Sequence, residues 1–114
     1  MGYFFEGKVK SISIRKNSQN VEYNVDFKSN YMFRMGNEEK YVAVDEKDPS
    51  AILTIETGKF NSITEDIFTF ISMHSKETFK VYFDKITTNG NQKGEKSTST
   101  KTEYKITKVE LIYG

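Results

Sequence analysis

Residues 61–83, NSITEDIFTFISMHSKETFKVYF, decide the fold, because they join a helical pattern directly to a strand pattern. Four apolar side chains and one histidine recur at the i, i+4, i+7, i+8 and i+11 positions that share one helical face: Ile63, Ile67, Phe70, Ile71 and His74. Residues 79–83 then alternate apolar with more polar side chains, as a half-buried strand does. The segment therefore predicts an amphipathic helix followed by a strand.

The start of this helix has its own signal. Ser62 and Glu65 stand three residues apart, which is the capping-box spacing. Glu65 and Asp66 also place negative charge in the first turn, where the helix dipole favours it. We predict one helix over residues 62–76 with Ser62 as its N-cap. Because its apolar face must be buried and the rest of the chain predicts strands, the helix is expected to pack on a sheet.

The rest of the chain carries the two-residue alternation of strands. In the first and last strands the apolar alternation changes phase, between Val9 and Ile12 and between Ile106 and Val109. A one-residue slip of this kind predicts a β-bulge in each strand. Residues 87–101 hold no apolar side chain and predict a long surface loop at the tip of a hairpin. The predicted strands cover residues 3–14, 21–28, 31–35, 40–45, 51–56, 79–84 and 104–113.

The order of these elements resembles the oligonucleotide/oligosaccharide-binding (OB) fold, whose helix lies between the third and fourth strands of a small barrel. The resemblance is clearest where the helix runs into KETFKVYFD and, after a loop, YKITKVELIYG. It implies a mainly β, OB-like barrel of five to seven strands, in one domain spanning residues 1–114, with an extra hairpin at residues 31–45. The alternative is an open α+β antiparallel sheet with the helix packed on it. No family-defining motif is present, so no functional residue is transferred.

Composition narrows the class of protein. The chain of 114 residues contains no cysteine, which excludes disulfides and cysteine metal sites. Its start lacks the apolar core of a signal peptide, and no apolar run reaches membrane-spanning length. We therefore expect no membrane insertion. The compartment stays undetermined, with the cytoplasm slightly favoured.

Catalytic signals are weak. His74 is the only histidine, and its place at the helix end favours a structural role. Asp45, Glu46 and Asp48 lack the alternating ligands and the glycine of a calcium loop. No glycine-rich phosphate motif occurs. We predict a protein that is not an enzyme and that needs no metal or cofactor.

The formal net charge of +1 hides an uneven distribution. Residues 1–20 carry a net charge of +3, residues 21–75 a net of −5, and residues 76–108 a net of +4. Subunits with oppositely charged sides can associate head to tail and close into rings when the rotation permits. Our first hypothesis is therefore a binding or assembly module that contacts a protein partner, or itself, through the loops at 15–20 and 87–101.

Two other ligand classes stay open. Basic loops and aromatic strands are typical of single-stranded nucleic acid binders, although such domains usually carry a strongly basic net charge. Tyrosine, asparagine and aspartate side chains also suit carbohydrate, which ranks third. The predicted contact residues are the loop cations and one tyrosine expected to be exposed: Arg15, Lys16, Tyr82, Lys93, Lys96 and Lys101.

Overall fold

A computed structural model describes residues 2–29, 32–35, 38–90 and 99–112. These residues form a mainly β protein with one helix, as predicted, and with eight strands rather than five to seven. The elements are β1 (Gly2–Lys16), β2 (Val21–Ser29), β3 (Met32–Met35), β4 (Glu38–Asp45), β5 (Ile52–Ile55), β6 (Lys59–Ile63), α1 (Glu65–Met73), β7 (Thr78–Gly90) and β8 (Ser99–Ile112). The strands belong to one antiparallel sheet that curls into a half-barrel.

Strand β1 holds this sheet together because it pairs along both edges. One edge pairs with β7 over residues 2–8. The other edge pairs with β4 at Tyr3 and Phe4, and then with β2 over residues 7–16. The continuous path through the half-barrel is therefore β6-β2-β1-β7-β8. Strands β3, β4 and β5 form a side branch from β1, and β3 and β4 are the predicted extra hairpin.

Both predicted bulges are confirmed. In β1 the register with β2 shifts between Val9 and Ser11, so Lys10 is the extra residue. In β8 the register with β7 skips Thr107. Each bulge brings the apolar residues on its two sides back to the same face of the sheet. The phase slips in the sequence therefore mark the extra residues that keep the apolar surface continuous.

That surface closes over an aromatic core. Its largest members are exposed by 2 % or less: Phe5, Phe27, Phe60, Phe79 and Phe83. The Phe5 and Phe60 rings stack with centroids 5.9 Å apart and so join β1 to β6 across the inside of the curl. Burying one such ring contributes roughly 1.5–3 kcal/mol, so the five rings together make a large favourable contribution to the stability of the fold.

The helix packs on the core through Phe68 and Ile71, but its limits differ from those predicted. It begins at Glu65 and ends at Met73, and its N-cap is Thr64, whose Oγ1 accepts from the Ile67 amide at 3.4 Å. Ser62 is not the cap. It lies in β6, a strand that the sequence pattern does not predict. The capping-box spacing is a local signal, and pairing of residues 59–63 with β2 overrides it.

The predicted loop at residues 87–101 is also shorter than expected. Strand β7 continues to Gly90 and β8 begins at Ser99, with Thr87 opposite Thr102. The hairpin itself is confirmed. Threonine favours strands, and Thr87, Lys101, Thr102 and Glu103 are all exposed, so this part of the ribbon shows no apolar alternation. The sequence pattern therefore had no signal to mark these strand ends.

Two hairpins make the molecule longer than a compact domain. Its radius of gyration is 15.7 Å, against about 13 Å expected for this length. Beyond Lys8, β1 has no partner other than β2 within the described residues. Beyond Asp84, β7 likewise pairs only with β8 in that part of the chain. The β1–β2 hairpin therefore extends past the pairing of β1 with β7, and the β7–β8 hairpin extends past the pairing of β7 with β1.

Gly58 gives a test of how tightly β6 approaches β2. A Cβ at this buried position would collide with the backbone carbonyl of Phe27, whose amide donates to the Gly58 carbonyl at 2.9 Å. We expect Gly58→Ala to lower the free energy of unfolding by about 3 kcal/mol, near the upper end for overpacking. Urea denaturation followed by circular dichroism measures this.

Gly2→Ala is the matched control, because the atoms it would meet belong to the flexible Glu46 side chain. That variant should differ from the parent by less than about 0.5 kcal/mol. Equal stability of the two variants would contradict the close approach of residue 58 to Phe27.

Candidate ligand groove

Strand β6 lies at the edge of the sheet, and its register with β2 shifts at a point that the sequence pattern does not predict. Tyr23 pairs with Ile63 and Val25 pairs with Phe60, so the two residues between them on β6 oppose the single Asn24 on β2. This is a bulge, and one of its residues, Ser62, has φ 56°. Among the described residues Ser62 is the one non-glycine residue with positive φ. Such a conformation costs on the order of 1–3 kcal/mol and is found most often at functional sites.

Asn24, opposite this bulge, carries a second unusual feature. Its Oδ1 atom is buried and accepts no hydrogen bond from any described residue. An unsatisfied buried acceptor costs about 1–3 kcal/mol. Strained backbone and an unpaired amide oxygen therefore occur at the same point of the β2–β6 ladder.

Two surface clefts meet at this point. The first, about 240 Å³, lies on the outer side of the sheet between β1, β2 and β6. The second, about 450 Å³, lies between β6 and β8. Lys59 and Asn61 line both clefts, and both are exposed while Phe60 between them is buried. We call the two clefts together the bulge groove. Its other polar lining residues are Ser11, Ser13, Asn24, Asp26, Thr57, Ser62, Lys101, Thr102, Glu103, Tyr104 and Lys105.

The larger cleft is the open seam of the half-barrel. Strands β6 and β8 come within 8 Å between Cα atoms, but no ladder joins them in the described part of the chain. Five consecutive residues of β8, at positions 101–105, line it. Because successive side chains of a strand point to opposite faces, consecutive lining means that the cleft faces the edge of β8. We call this cleft the seam.

The charge of the seam is positive. Lys59, Lys101 and Lys105 stand against Glu103, a net charge of +2 among its lining residues. Lys101 Nζ lies 2.9 Å from Glu103 Oε1, but both side chains are exposed, so this ion pair is weak. A ligand with negative charge is therefore favoured here.

Tyr104 forms the aromatic wall of the seam. Its ring contacts Phe83 edge to face, with centroids 5.6 Å apart. Partial burial, helped by the nearby Glu56 carboxylate, raises the pKa of the Tyr104 phenol above its ordinary 10.0. The phenol is therefore neutral at pH 7 and presents a hydroxyl that can donate or accept a hydrogen bond.

Of the predicted contact cations that the structure describes, some line the groove and others do not. Lys101 lines the seam. Arg15 and Lys16 lie exposed at the end of β1, just before the turn closed by the Asn17 amide and the Asn20 carbonyl at 2.9 Å. The residues lining either cleft do not include Arg15 or Lys16. The remaining two cations, Lys93 and Lys96, lie outside the described residues.

The expected exposure of Tyr82 is wrong. This side chain is 9 % exposed. Lys108 and Lys80 cover its ring, with ammonium nitrogens 4.4 and 5.3 Å from the centroid. Its hydroxyl donates to Glu110 Oε2 at 3.2 Å. Strand parity did place Tyr82 opposite the core-facing Val81, but the long lysine stems cover it and leave little ring surface for a ligand.

His74 lies at the helix end, where the sequence placed it. It is the C-cap of α1, and its backbone amide donates to the Ile71 carbonyl at 3.2 Å. Its Nδ1 lies 3.1 Å from Glu77 Oε2, and its ring packs on Phe70 with centroids 4.9 Å apart. These contacts orient the imidazole at the helix end.

The acidic loop after β4 uses its carboxylates to hold its own backbone. Asp45 Oδ1 accepts from the Lys47 amide at 2.8 Å. Asp48 Oδ1 accepts from the Ser50 hydroxyl at 2.6 Å. Within the described residues no group of three or more His, Asp or Glu side chains is arranged to hold a metal ion.

Comparisons with protein-family models, curated proteins and solved structures find no match. In the described ranges no helix combines the length and the apolar character needed to cross a membrane.

Ser62 offers a direct test of the strained bulge. Glycine adopts positive φ without steric cost, so Ser62→Gly should raise the free energy of unfolding by about 0.5–1 kcal/mol. Ser13→Gly is the matched control, because Ser13 is an exposed serine inside a regular strand pair. It should lower the free energy of unfolding by about 0.5–1 kcal/mol. Equal destabilisation of both variants in urea titrations would show that residue 62 is not left-handed.

Proposed function

We propose that this protein is a non-enzymatic binding module whose ligand lies along the bulge groove. The observation that carries the proposal is the position of the groove relative to the strand order. Strands β1, β2, β6, β7 and β8 correspond to the five strands of an OB-like barrel, and α1 then falls between the third and fourth. OB folds bind oligonucleotides and oligosaccharides on the face of their second and third strands. The corresponding strands here are β2 and β6, which carry the groove.

Two further features support this position. The bulge in β6 and the positive φ of Ser62 keep the backbone away from its preferred geometry. The unpaired Oδ1 of Asn24 adds a second cost at the same place. Features that lower stability tend to persist where function requires them.

The groove favours an extended polar ligand. Its lining mixes hydroxyl, amide, ammonium and carboxylate groups along the outer sides of four neighbouring strands. Tyr104 is the aromatic residue among these lining groups, and its ring already packs against Phe83. Non-specific single-stranded nucleic acid binders present several rings for base stacking. A polypeptide or an oligosaccharide therefore fits the described groove better than single-stranded DNA does.

A titration with three probes tests this function. The probes are a blocked acidic octapeptide, a mixed-sequence single-stranded DNA octamer, and a neutral glucose hexasaccharide, each added up to 2 mM to protein labelled with ¹⁵N. At least one probe should shift the amide signals of Lys59 and Asn61 with a Kd below about 1 mM, equivalent to −4.1 kcal/mol. The proposed function is wrong if none of the three moves either signal.

Lys59→Gln identifies the site of binding. Lys59 lines both clefts, so its loss should weaken an acidic probe about tenfold, which corresponds to 1.4 kcal/mol. Lys85→Gln is the control, because Lys85 is an exposed strand lysine that does not line the groove. Equal affinities of the two variants would place the binding elsewhere.

Self-association is a second candidate function, because the end of the β1–β2 hairpin exposes large apolar side chains. Ile12, Ile14 and Val21 are 40 %, 52 % and 50 % exposed. The register places all three on one face, the face that continues from the core. The second edge of β1 over residues 9–16 is unpaired within the described chain. Long edge strands with an apolar face readily pair with another chain.

Sedimentation velocity at about 10 to 500 µM tests self-association through this hairpin. If the contact is real, the parent protein forms a larger species and Ile14→Lys shifts it towards the monomer. Ile52→Lys is the matched control, because Ile52 is 67 % exposed but lies on β5. A parent that stays monomeric at 500 µM would remove this candidate.

A further inference from the structure

We infer that the bulge groove binds an acidic oligosaccharide that lies across the strands, from β1 over the seam to β8. This inference rests on the proposed function and names the class of ligand. The seam itself is too narrow for an added peptide strand. A strand paired on both sides separates its neighbours by about 10 Å, whereas Cα atoms of β6 and β8 come within 8 Å. The ligand therefore binds to side chains on the outer surface of the half-barrel.

The side chains that line the groove form a row across four strands. The register places Ser11 opposite Asp26 and Asp26 opposite Lys59, so these three lie in one line across β1, β2 and β6. With paired strands about 4.8 Å apart and β8 within 8 Å of β6, the line from β1 to β8 is roughly 18 Å long. A ligand that uses both clefts is therefore elongated and crosses the strands instead of following one of them.

The cleft between β1, β2 and β6 suits hydroxyl groups. Its polar lining consists of two serines, two asparagines, Asp26 and Lys59, so the formal charges cancel. A hydroxyl group both donates and accepts, and it can therefore pair with each of these side chains. An ionised carboxylate or phosphate only accepts, and the Asp26 carboxylate repels it. This part of the groove therefore favours the uncharged hydroxyls of a ligand.

The seam favours negative charge instead. Lys101 and Lys105 are exposed on the outer side of β8, and four residues of strand place their Cα atoms about 13 Å apart. Lys59 is exposed on the opposite wall and lines both clefts. Glu103 lies between the two β8 lysines, and its carboxylate can accept from a ligand hydroxyl. A chain of sugar rings that carries hydroxyls throughout and carboxylate or sulfate groups over the seam matches both clefts.

An acidic polypeptide and single-stranded DNA each match only part of this surface. A peptide that crosses the strands directs its backbone amides and carbonyls along them, so it cannot pair with their edges. Its acidic side chains accept hydrogen bonds but do not donate them. Single-stranded DNA carries a phosphate charge at every nucleotide, including those that would lie over Asp26, and among the described lining residues it finds one ring, Tyr104, for stacking.

Three matched probes test the ligand class on the full chain labelled with ¹⁵N. They are a hexamer of galacturonic acid, the same hexamer with every carboxylate methyl-esterified, and blocked hexaglutamate. The ester keeps the sugar rings without the charge, and hexaglutamate keeps the charge without the hydroxyls. The acidic hexasaccharide should bind with a Kd below about 100 µM and shift the amide signals of Lys59, Asn61 and residues 101–105. The other two probes should bind at least tenfold more weakly.

Two sets of variants separate the two clefts. Lys101→Gln combined with Lys105→Gln should weaken the acidic hexasaccharide at least tenfold and change the affinity of the ester by less than twofold. Lys47→Gln combined with Lys76→Gln is the control of equal charge, because both lysines are exposed and the lining of the groove includes neither. Asn61→Ala should weaken the acidic hexasaccharide and the ester by the same factor, because Asn61 contacts hydroxyls rather than charge.

The inference is overturned if the acidic hexasaccharide moves neither the Lys59 nor the Asn61 signal at 2 mM, or if the ester or hexaglutamate binds as tightly. It is also overturned if the β8 lysine substitutions weaken the ester as much as the acid. If the acidic octapeptide, the DNA or the glucose hexasaccharide shifts the two signals but the acidic hexasaccharide does not, the choice of ligand fails and the binding function survives. If no probe shifts them, both proposals fail.

Discussion

Antiparallel pairing along both edges of β1 is the interaction on which the rest of the structure depends. Without it, the β7–β8 hairpin would have no connection through the sheet to β2 and β6. Pairing alone does not curl the sheet. The stacking of Phe5 on Phe60 draws β6 over β1, and the bulge at Lys10 lets one long strand follow the curve while its apolar face stays continuous. Strand pairing and core packing thus require the same bend.

The same curvature produces the seam. The aromatic core is closed although β6 and β8 form no ladder in the described chain, so each of these two strands has one edge without a strand partner there. Lysines line both sides of the seam, and charged side chains of this kind are a common protection of exposed strand edges against uncontrolled pairing.

Features that depend on the local alternation of apolar residues were predicted from the sequence. The phase slips at residues 9–12 and 106–109 indicated both bulges, because burial of one face leaves a period-two signal. The helix start was wrong because Ser62 satisfies a capping pattern whose competitor, pairing with β2, is not local. Most of the groove residues were not predicted either, because non-local strand pairing brings them together. In the sequence, Lys59 and Asn61 have no feature that marks them, and only the strand register shows that they line both clefts. Lys101 was predicted as a contact residue from its charge alone.

Residue-resolved amide hydrogen exchange, followed by NMR, tests the open seam most directly. If β8 is paired only with β7, the amides of residues 101–105 should alternate between slow exchange for those bonded to β7 and fast exchange for those facing the seam. The neighbouring amides of residues 79–82 in β7, which has strands on both sides there, should be slow throughout. Uniformly slow exchange along residues 101–105 would show that the barrel is closed, and would contradict a half-barrel with an open seam between β6 and β8.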